Sequence, residues 1–471
     1  MKKEIKEYQL FIGGQYIDST ASGWIEVENP SNKEIIARVP RGNEEDTVKA
    51  IEAAGNAFPG WAKTPLEERI RIIQRFKAYL EDHRNEIIQT IQAELGCARH
   101  FTESAQFDGQ LRRIESFIDI ARNYEFERIN EDYTVRKEPV GVIACITPWN
   151  FPLGQIIQKI IPALLTGNSI VLKPSQNTPL TAYFVADGFM AAGLPEGVLN
   201  IVTGRGAEVG DILATHPKVD MVSFTGSTRG GTKVGAAAMG SVKRVALELG
   251  GKSAVVFLDD SSLEENIATA LSRIFNNTGQ VCSAWSRLVV IADVRNAVEE
   301  EIKRQLPNFT HGDPLDPDVF MGPLSSRKQY DKVTEYIADG RSRLKVLAGE
   351  GKGDDSRGYY VSPIVFTEVD EDDRLAQEEI FGPVLVIIEA RDAEDAIRIA
   401  NHSDYGLSGG VFGEEEQAMA AARKIRTGSI AVNTDKGDNT APFGGYKHSG
   451  NSREGGLEGF EEFLETKTVV R

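Results

Sequence analysis

Three cysteines in 471 residues are too few for a disulfide framework, and no two of them lie two residues apart. Such scarcity fits a reducing compartment, so a cytoplasmic location is expected. The six histidines, His83, His100, His216, His311, His402 and His448, are scattered and offer no ligand spacing, so no metal is expected. Long apolar runs are missing too. The run from Ile160 to Leu165 is far too short for a bilayer, and the start, MKKEIKEYQLFIGG, has no apolar stretch of secretory type. Basic residues are outnumbered, 53 to 70, for a net charge of −17. Nucleic acid and anionic membranes need a positive field, so neither is an expected partner, although a local basic pocket remains open.

What is present points to a globular chain of roughly three domains, or two large ones with an appendage, at about 150 residues each. Glycine, at 45 residues, far exceeds proline at 19, which suggests many tight turns. The first third reads as mostly helical. Thr64-Pro65-Leu66-Glu67 has the form of a helix start, with Thr64 as N-cap and Pro65 at the first helical position. Ile70, Ile73, Phe76 and Leu80 recur at helical spacing, and Gly96 closes a later helical run. From residue 140 short β-branched runs appear, at Val140–Ile146, Ser169–Leu172, Leu199–Val202 and Met221–Phe224, with room for a helix between successive ones. That alternation implies parallel βαβ units and a doubly wound sheet, whose ligands lie at the carboxyl ends of the strands. A second α/β series follows at Ala254–Leu258, a helix from about Leu263, Leu288–Ile291, Pro383–Ile388 and Ile430–Val432. Ser262 with Glu265 has capping-box spacing. The segment 349–358, GEGKGDDSRG, reads as the clearest exposed loop.

Cys282 ends Asn277-Thr278-Gly279-Gln280-Val281-Cys282, a loop of small polar residues in which a thiol can be exposed and, as thiolate, nucleophilic. Cys145, inside an apolar run, reads as core, and Cys97 has no assigned role. In Pro148-Trp149-Asn150-Phe151-Pro152, directly after the first sheet strand, Asn150 is either an oxyanion donor or a turn-stabilising residue. Lys173-Pro174-Ser175 also follows a strand; Lys173 meets a ribose or phosphate, or is simply solvated. Phe224-Thr225-Gly226-Ser227-Thr228 leads from strand to helix and forms a phosphate-accepting N-terminus. It is not G-x-G-x-x-G, and Gly204-Arg205-Gly206 with Gly210 misses that fingerprint by one residue. Glu248, between Leu247 and Leu249 and before two glycines, is a general base if partly buried, or a strand carboxylate paired with a cation.

Together these segments resemble the aldehyde dehydrogenase superfamily: PWNFP at 148–152, KPS at 173–175, FTGST at 224–228, LELGGK at 247–252, GQVC ending at Cys282, EEIFGP at 378–383 and PFGGYKHSG at 442–450. The set spans nearly the whole chain in family order. The resemblance implies two doubly wound Rossmann-like α/β domains and a small β oligomerisation flap. The implied ranges are 1–119 with 140–248 for NAD(P) binding, 249–440 for catalysis, and 120–139 with 441–471 for oligomerisation as a homodimer or homotetramer. The implied nucleophile is Cys282, the base Glu248, the oxyanion donors Asn150 and the Cys282 N–H, and the proton-relay lysine Lys159. Implied contacts to NAD or NADP come from Ile146, Trp149, Lys173, Ser175, Gln176, Gly206, Gly226, Ser227, Leu249, Glu379 and Phe381. Where some members carry a relay glutamate, the resemblance places Leu457.

The implied reaction is oxidation of an aldehyde to an acid through a Cys282 thioester that Glu248-activated water hydrolyses. Many members carry Glu where this chain has Gln176. Without that charge a 2′-phosphate is not repelled, so NADP is expected to be tolerated. Three other readings stand beside it: a semialdehyde dehydrogenase, which needs a basic anchor not identifiable here; a cofactor-free thioester hydrolase or acyltransferase; and a catalytically silent structural protein, against which the intact set Cys282, Glu248 and Asn150 argues. Tyr124–Lys137 reads as an exposed hairpin and Glu462–Val470 as a β-favouring tail. The loops around Trp285 and Asp435–Asn439 are expected to shape the substrate pocket.

Overall fold

The computed structural model describes residues 5–471 apart from 435, 436 and 439. Two seven-stranded sheets organise it. In the first, Arg244–Glu248, Met221–Thr225, Val142–Ile146, Ser169–Lys173 and Leu199–Ile201 lie side by side and parallel. Val142–Ile146 and Ser169–Lys173 are buried at every position, as strands covered on both faces must be. The helix Pro152–Leu165 is buried along its whole length, in keeping with a sequence apolar nearly all round.

The chain runs outward from Val142–Ile146 through Ser169–Lys173 to Leu199–Ile201, then returns to place Met221–Thr225 on the other side of Val142–Ile146. The strand order therefore reverses between Val142–Ile146 and Met221–Thr225. The crevice outside their carboxyl ends is where an open α/β sheet takes a ligand. The loops there carry Trp149-Asn150 and Gly226-Ser227.

The second sheet runs Lys345–Gly349, Ile364–Thr367, Val384–Ala390, Arg287–Ile291, Ala254–Phe257, Gly409–Phe412 and Ala431–Val432, all parallel except the first pair. It offers the shared cleft its opposite edge. Cys282 precedes the strand Arg287–Ile291, and Glu379 and Phe381 precede Val384–Ala390. A small third sheet joins the hairpin Glu127–Ile129 and Tyr133–Pro139 to the C-terminal strand Leu464–Val470.

Several local expectations are corrected. Between Lys6 and Pro40 the regular elements are strands rather than helices, and Leu10–Ile12 and Gln15–Ile17 extend the first sheet as an antiparallel hairpin. The helix over Ile70, Ile73, Phe76 and Leu80 begins at Leu66, with Pro65 at the cap and no side-chain cap. Thr64 instead finishes the preceding helix, its N–H donating to Trp61 O and its hydroxyl to Gly60 O. Ser262 does not cap Leu263–Phe275, because its backbone is left-handed at φ 48°. Segment 349–358 is partly built in: Gly353–Asp354 pairs with Tyr360–Val361, and Gly358 is packed against the carbonyls of Pro30 and Ser31. Trp285 is core, wholly buried against Phe412 with the Arg273 guanidinium 5.0 Å from its ring centroid. Of the other expected pocket loop, Asp435, Lys436 and Asn439 lie outside the described residues.

Candidate active site

Asn150 sits at the switch point, buried, in a loop whose Thr147 N–H donates to Lys173 O at 3.1 Å. Its side-chain amide donates to Gln280 O at 3.1 Å. Its own carbonyl accepts from Gln106 Nε2 at 2.8 Å and Asn277 Nδ2 at 3.1 Å. An amide carries two N–H bonds, so one remains to meet an oxyanion.

The Cys282 loop is built from three consecutive left-handed residues, Asn277 (φ 51°), Thr278 (φ 58°) and Gly279 (φ 75°). For Asn and Thr this backbone costs energy and persists only where neighbours hold it. Thr278 Oγ1 donates to Gly322 O at 2.9 Å, Gln280 Nε2 to Asn277 O at 3.0 Å, and Ser325 N to Gln280 Oε1 at 2.9 Å. Gly251 is needed because a Cβ there would fall 2.5 Å from Cys282 O. The thiol is half-buried. Burial above all, then Glu248, Glu379 and Glu454, pushes its pKa up, against the Ser283 N–H. Burial and three carboxylates thus oppose the thiolate form.

Glu248 ends the strand Arg244–Glu248, which is bridged by Gly450 and by Leu249 N to Ser449 O at 3.0 Å. It is buried, and its Oε1 has no hydrogen-bond partner. Burial, and then Glu454, raise its carboxyl well above the usual range, against Lys159 and Arg453. Lys159 Nζ lies 2.5 Å from Glu454 Oε1 and donates to Ser223 Oγ at 3.0 Å; Thr225 Oγ1 also donates to Glu454 Oε1, at 3.0 Å. The carboxylate beside Lys159 is therefore Glu454. Position 457 is a Leu that is 47% exposed, and it makes no part of this buried cluster.

Trp149, Gly226, Ser227, Leu249, Glu379 and Phe381 line one cleft with Cys282 and Asn150. Ser227 caps the helix Thr228–Met239 by accepting from Gly230 N at 3.2 Å. Glu379 accepts from Gly251 N at 2.9 Å; burial raises its pKa against that N–H, Lys332 and Lys252. Phe381 holds a left-handed backbone (φ 64°), its carbonyl takes Gln329 Nε2 at 2.7 Å, and its ring meets Trp149 edge-on at 5.4 Å. At the ends of the neighbouring strands, Lys173 is buried with one hydrogen bond, to Pro174 O at 3.2 Å. Burial lowers its pKa to about 8. Ile146 is buried, Ser175 accepts from Asn177 N at 3.3 Å, Gln176 is exposed, and Gly206 faces open space. A buried ammonium with spare N–H groups, next to a switch-point helix start and an aromatic slot, fits a dinucleotide.

The aldehyde dehydrogenase family model matches residues 16–469. A 3-succinoylsemialdehyde-pyridine dehydrogenase from a Pseudomonas species is 42% identical over 467 residues, covering 98% of each chain. The crystal structure of an aldehyde dehydrogenase C variant from Pseudomonas syringae, complexed with NAD+ and octanal, superposes with a TM-score of 0.96 at 38% identity, covering 98% of this chain and 96% of that one. A Staphylococcus aureus betaine aldehyde dehydrogenase with NAD+ gives 0.94 at 34% identity, covering 98% and 94%. The chain belongs to the aldehyde dehydrogenase family. This aldehyde dehydrogenase is accordingly an NAD(P)-dependent oxidoreductase that oxidises aldehydes.

Sequence reasoning missed four parts of this aldehyde dehydrogenase's site. Asn277 and Gln280, five and two residues before Cys282, lock the loop, and their amide side chains so near a lone Cys were the available signal. Gln106, in a π-helical stretch Thr102–Asp108, carried none. Glu454, in Ser452-Arg453-Glu454-Gly455-Gly456, was overlooked in favour of position 457.

Proposed function

We propose that Cys282 is the nucleophile, Asn150 and the Cys282 N–H the oxyanion donors, and Glu248 the base that prepares water. The support that carries this reading is the direct pinning of the Cys282 loop to the Asn150 loop, through Asn150 Nδ2 to Gln280 O and Asn277 Nδ2 to Asn150 O, each at 3.1 Å. Attack of Sγ on the aldehyde carbon places negative charge on the former carbonyl oxygen, where the spare Asn150 N–H meets it. Trp149, Gly226, Ser227, Leu249, Glu379, Phe381 and Lys173 hold the dinucleotide, which supplies the hydride acceptor when bound. Loss of hydride from that carbon leaves a thioester on Cys282. Glu248 then takes a proton from water, the water oxygen bonds to the thioester carbon, the C–S bond breaks to return the Cys282 thiolate, and the acid departs. Lys159 and Glu454, paired at 2.5 Å beside Glu248, pass that proton on.

Cys282→Ser should abolish cofactor reduction with every aldehyde, and Asn150→Ala should lower kcat by about 10²–10³. Aldehyde-dependent turnover in Cys282→Ser at the wild-type rate would remove the assignment. Gln176 is exposed and uncharged at the strand end beside Lys173, which supports use of NADP+ as well as NAD+. A preference for NAD+ of more than about a hundredfold in kcat/KM would defeat that part.

We also read the third sheet as a subunit-pairing flap. Leu464–Val470 bonds Tyr133–Pro139 on one side only, which leaves an exposed edge ending in Val469 and Val470. Three unpaired cysteines support a reducing, cytoplasmic setting.

A further inference from the structure

Two side-chain amides hold the main-chain carbonyl of Asn150: Gln106 Nε2 at 2.8 Å and Asn277 Nδ2 at 3.1 Å. Asn277 belongs to the Cys282 loop, and so does Gln280, whose carbonyl takes the Asn150 side chain at 3.1 Å. Those bonds fix Asn150 to the Cys282 loop only. Gln106 is, among the described residues, the one side chain from outside that loop that bonds Asn150. It stands in the π-helical stretch Thr102–Asp108, where Gly109 N reaches back five residues to Ser104 O and Gln110 Nε2 covers Ala105 O at 2.7 Å. Such π-turns are rare and recur at functional sites. The stretch runs on into the helix Gly109–Asn123, whose Ile114, Phe117 and Ile118 are buried in the core. Just before it, the Phe101 ring meets Phe151, the residue after Asn150, edge-on at 5.8 Å.

Gln106 is wholly buried, and its Oε1 has no hydrogen-bond partner. Turning the amide round would set its oxygen against Asn150 O. A buried acceptor without a donor costs stability, and an apolar side chain of similar length avoids that cost. The nitrogen therefore accounts for a glutamine at 106, and the nitrogen goes to Asn150. From this geometry we infer that Gln106 is a positioning residue for the reaction. It ties the Asn150 main chain to the packed helix Gly109–Asn123, so that the spare Asn150 N–H stays aimed where the substrate oxygen gains charge. Gln106 does not line the cleft with Cys282 and Asn150, so it acts through Asn150. This rests on the oxyanion role of Asn150 proposed above.

Gln106→Met keeps the length of the side chain and removes its donors. It should lower kcat by about fivefold or more, as for one lost hydrogen bond, and leave the Kd for NADH, read by fluorescence, within about twofold. The deciding measurement is a double-mutant cycle. With the Asn150 amide gone, Gln106 has nothing left to aim, so adding Gln106→Met to Asn150→Ala should change kcat by less than about twofold. A full further loss in the double variant overturns the inference, because it marks Gln106 as a general support of the fold. Gln106→Leu repeats the cycle if the Met variant does not fold, and failure of both to fold marks the same general support. Wild-type kcat in Gln106→Met beside an impaired Asn150→Ala removes this inference alone. Wild-type kcat in Asn150→Ala removes the oxyanion assignment and this inference with it.

Discussion

A thiol facing three carboxylates resists ionisation, and that tension defines the chemistry at the scale of single residues. Glu248, Glu379 and Glu454 all push Cys282 toward the neutral form, after burial itself. Removing one of those charges should therefore ease ionisation. In Glu379→Gln, without cofactor, iodoacetamide should alkylate Cys282 faster at a given pH, and the rate should rise at lower pH than in the wild type. An unchanged rate–pH curve would show that burial alone holds the thiol neutral. In the mechanism proposed above, the raised proton affinity of Glu248 suits it to take a proton from water.

At the scale of elements, the start of the helix Thr181–Ala192 is completed by a side chain from far along the chain. Glu94, wholly buried, accepts from Leu180 N at 2.6 Å, from Thr181 N at 3.1 Å and from the Thr181 hydroxyl, where the helix Thr181–Ala192 begins. Burial raises its carboxyl to about 7 against those donors. Its folded value lies above the ordinary 4.5, so the stability it contributes is full below about 4.5 and is lost as pH climbs to about 7. Glu94→Gln has no such titration. The Tm advantage of the wild type over this variant should shrink between about pH 4.5 and about pH 7; parallel Tm curves would rule the effect out. The two sheets also present opposite edges to the cleft. The first gives the loops that follow its strands, whereas Cys282 and Glu379 precede theirs. A search confined to loops after strands finds only half the site.

For the whole molecule, the exposed edge Leu464–Val470 sets the prediction. Light scattering at micromolar concentration should report a dimer or tetramer. Lys at Val469, or truncation before Thr468, should shift the mass toward monomer, because a charged or shortened edge resists pairing. A wild-type monomer would mean that the third sheet only closes the chain's own terminus. Acidic overall charge does not prevent a buried basic contact: Lys173 sits inside a chain of net charge −17.

Local order and reactive residue types were legible from the chain alone. The strands at Val142–Ile146, Ser169–Lys173 and Met221–Thr225, the helix over Ile70 to Leu80 and the αL closure at Gly96 follow from periodicity, β-branching and glycine, which act within a few residues. The ordered motifs around Asn150, Glu248 and Cys282 were enough to point to the family. Tertiary structure alone decided that Glu454 rather than position 457 meets Lys159, that Trp285 is core, that burial and three carboxylates push the Cys282 thiol's pKa up, and that three glutamine oxygens stand unpaired. Desolvation and Coulomb forces sum over groups close in space, and here those groups come from positions as far apart as 106 and 454.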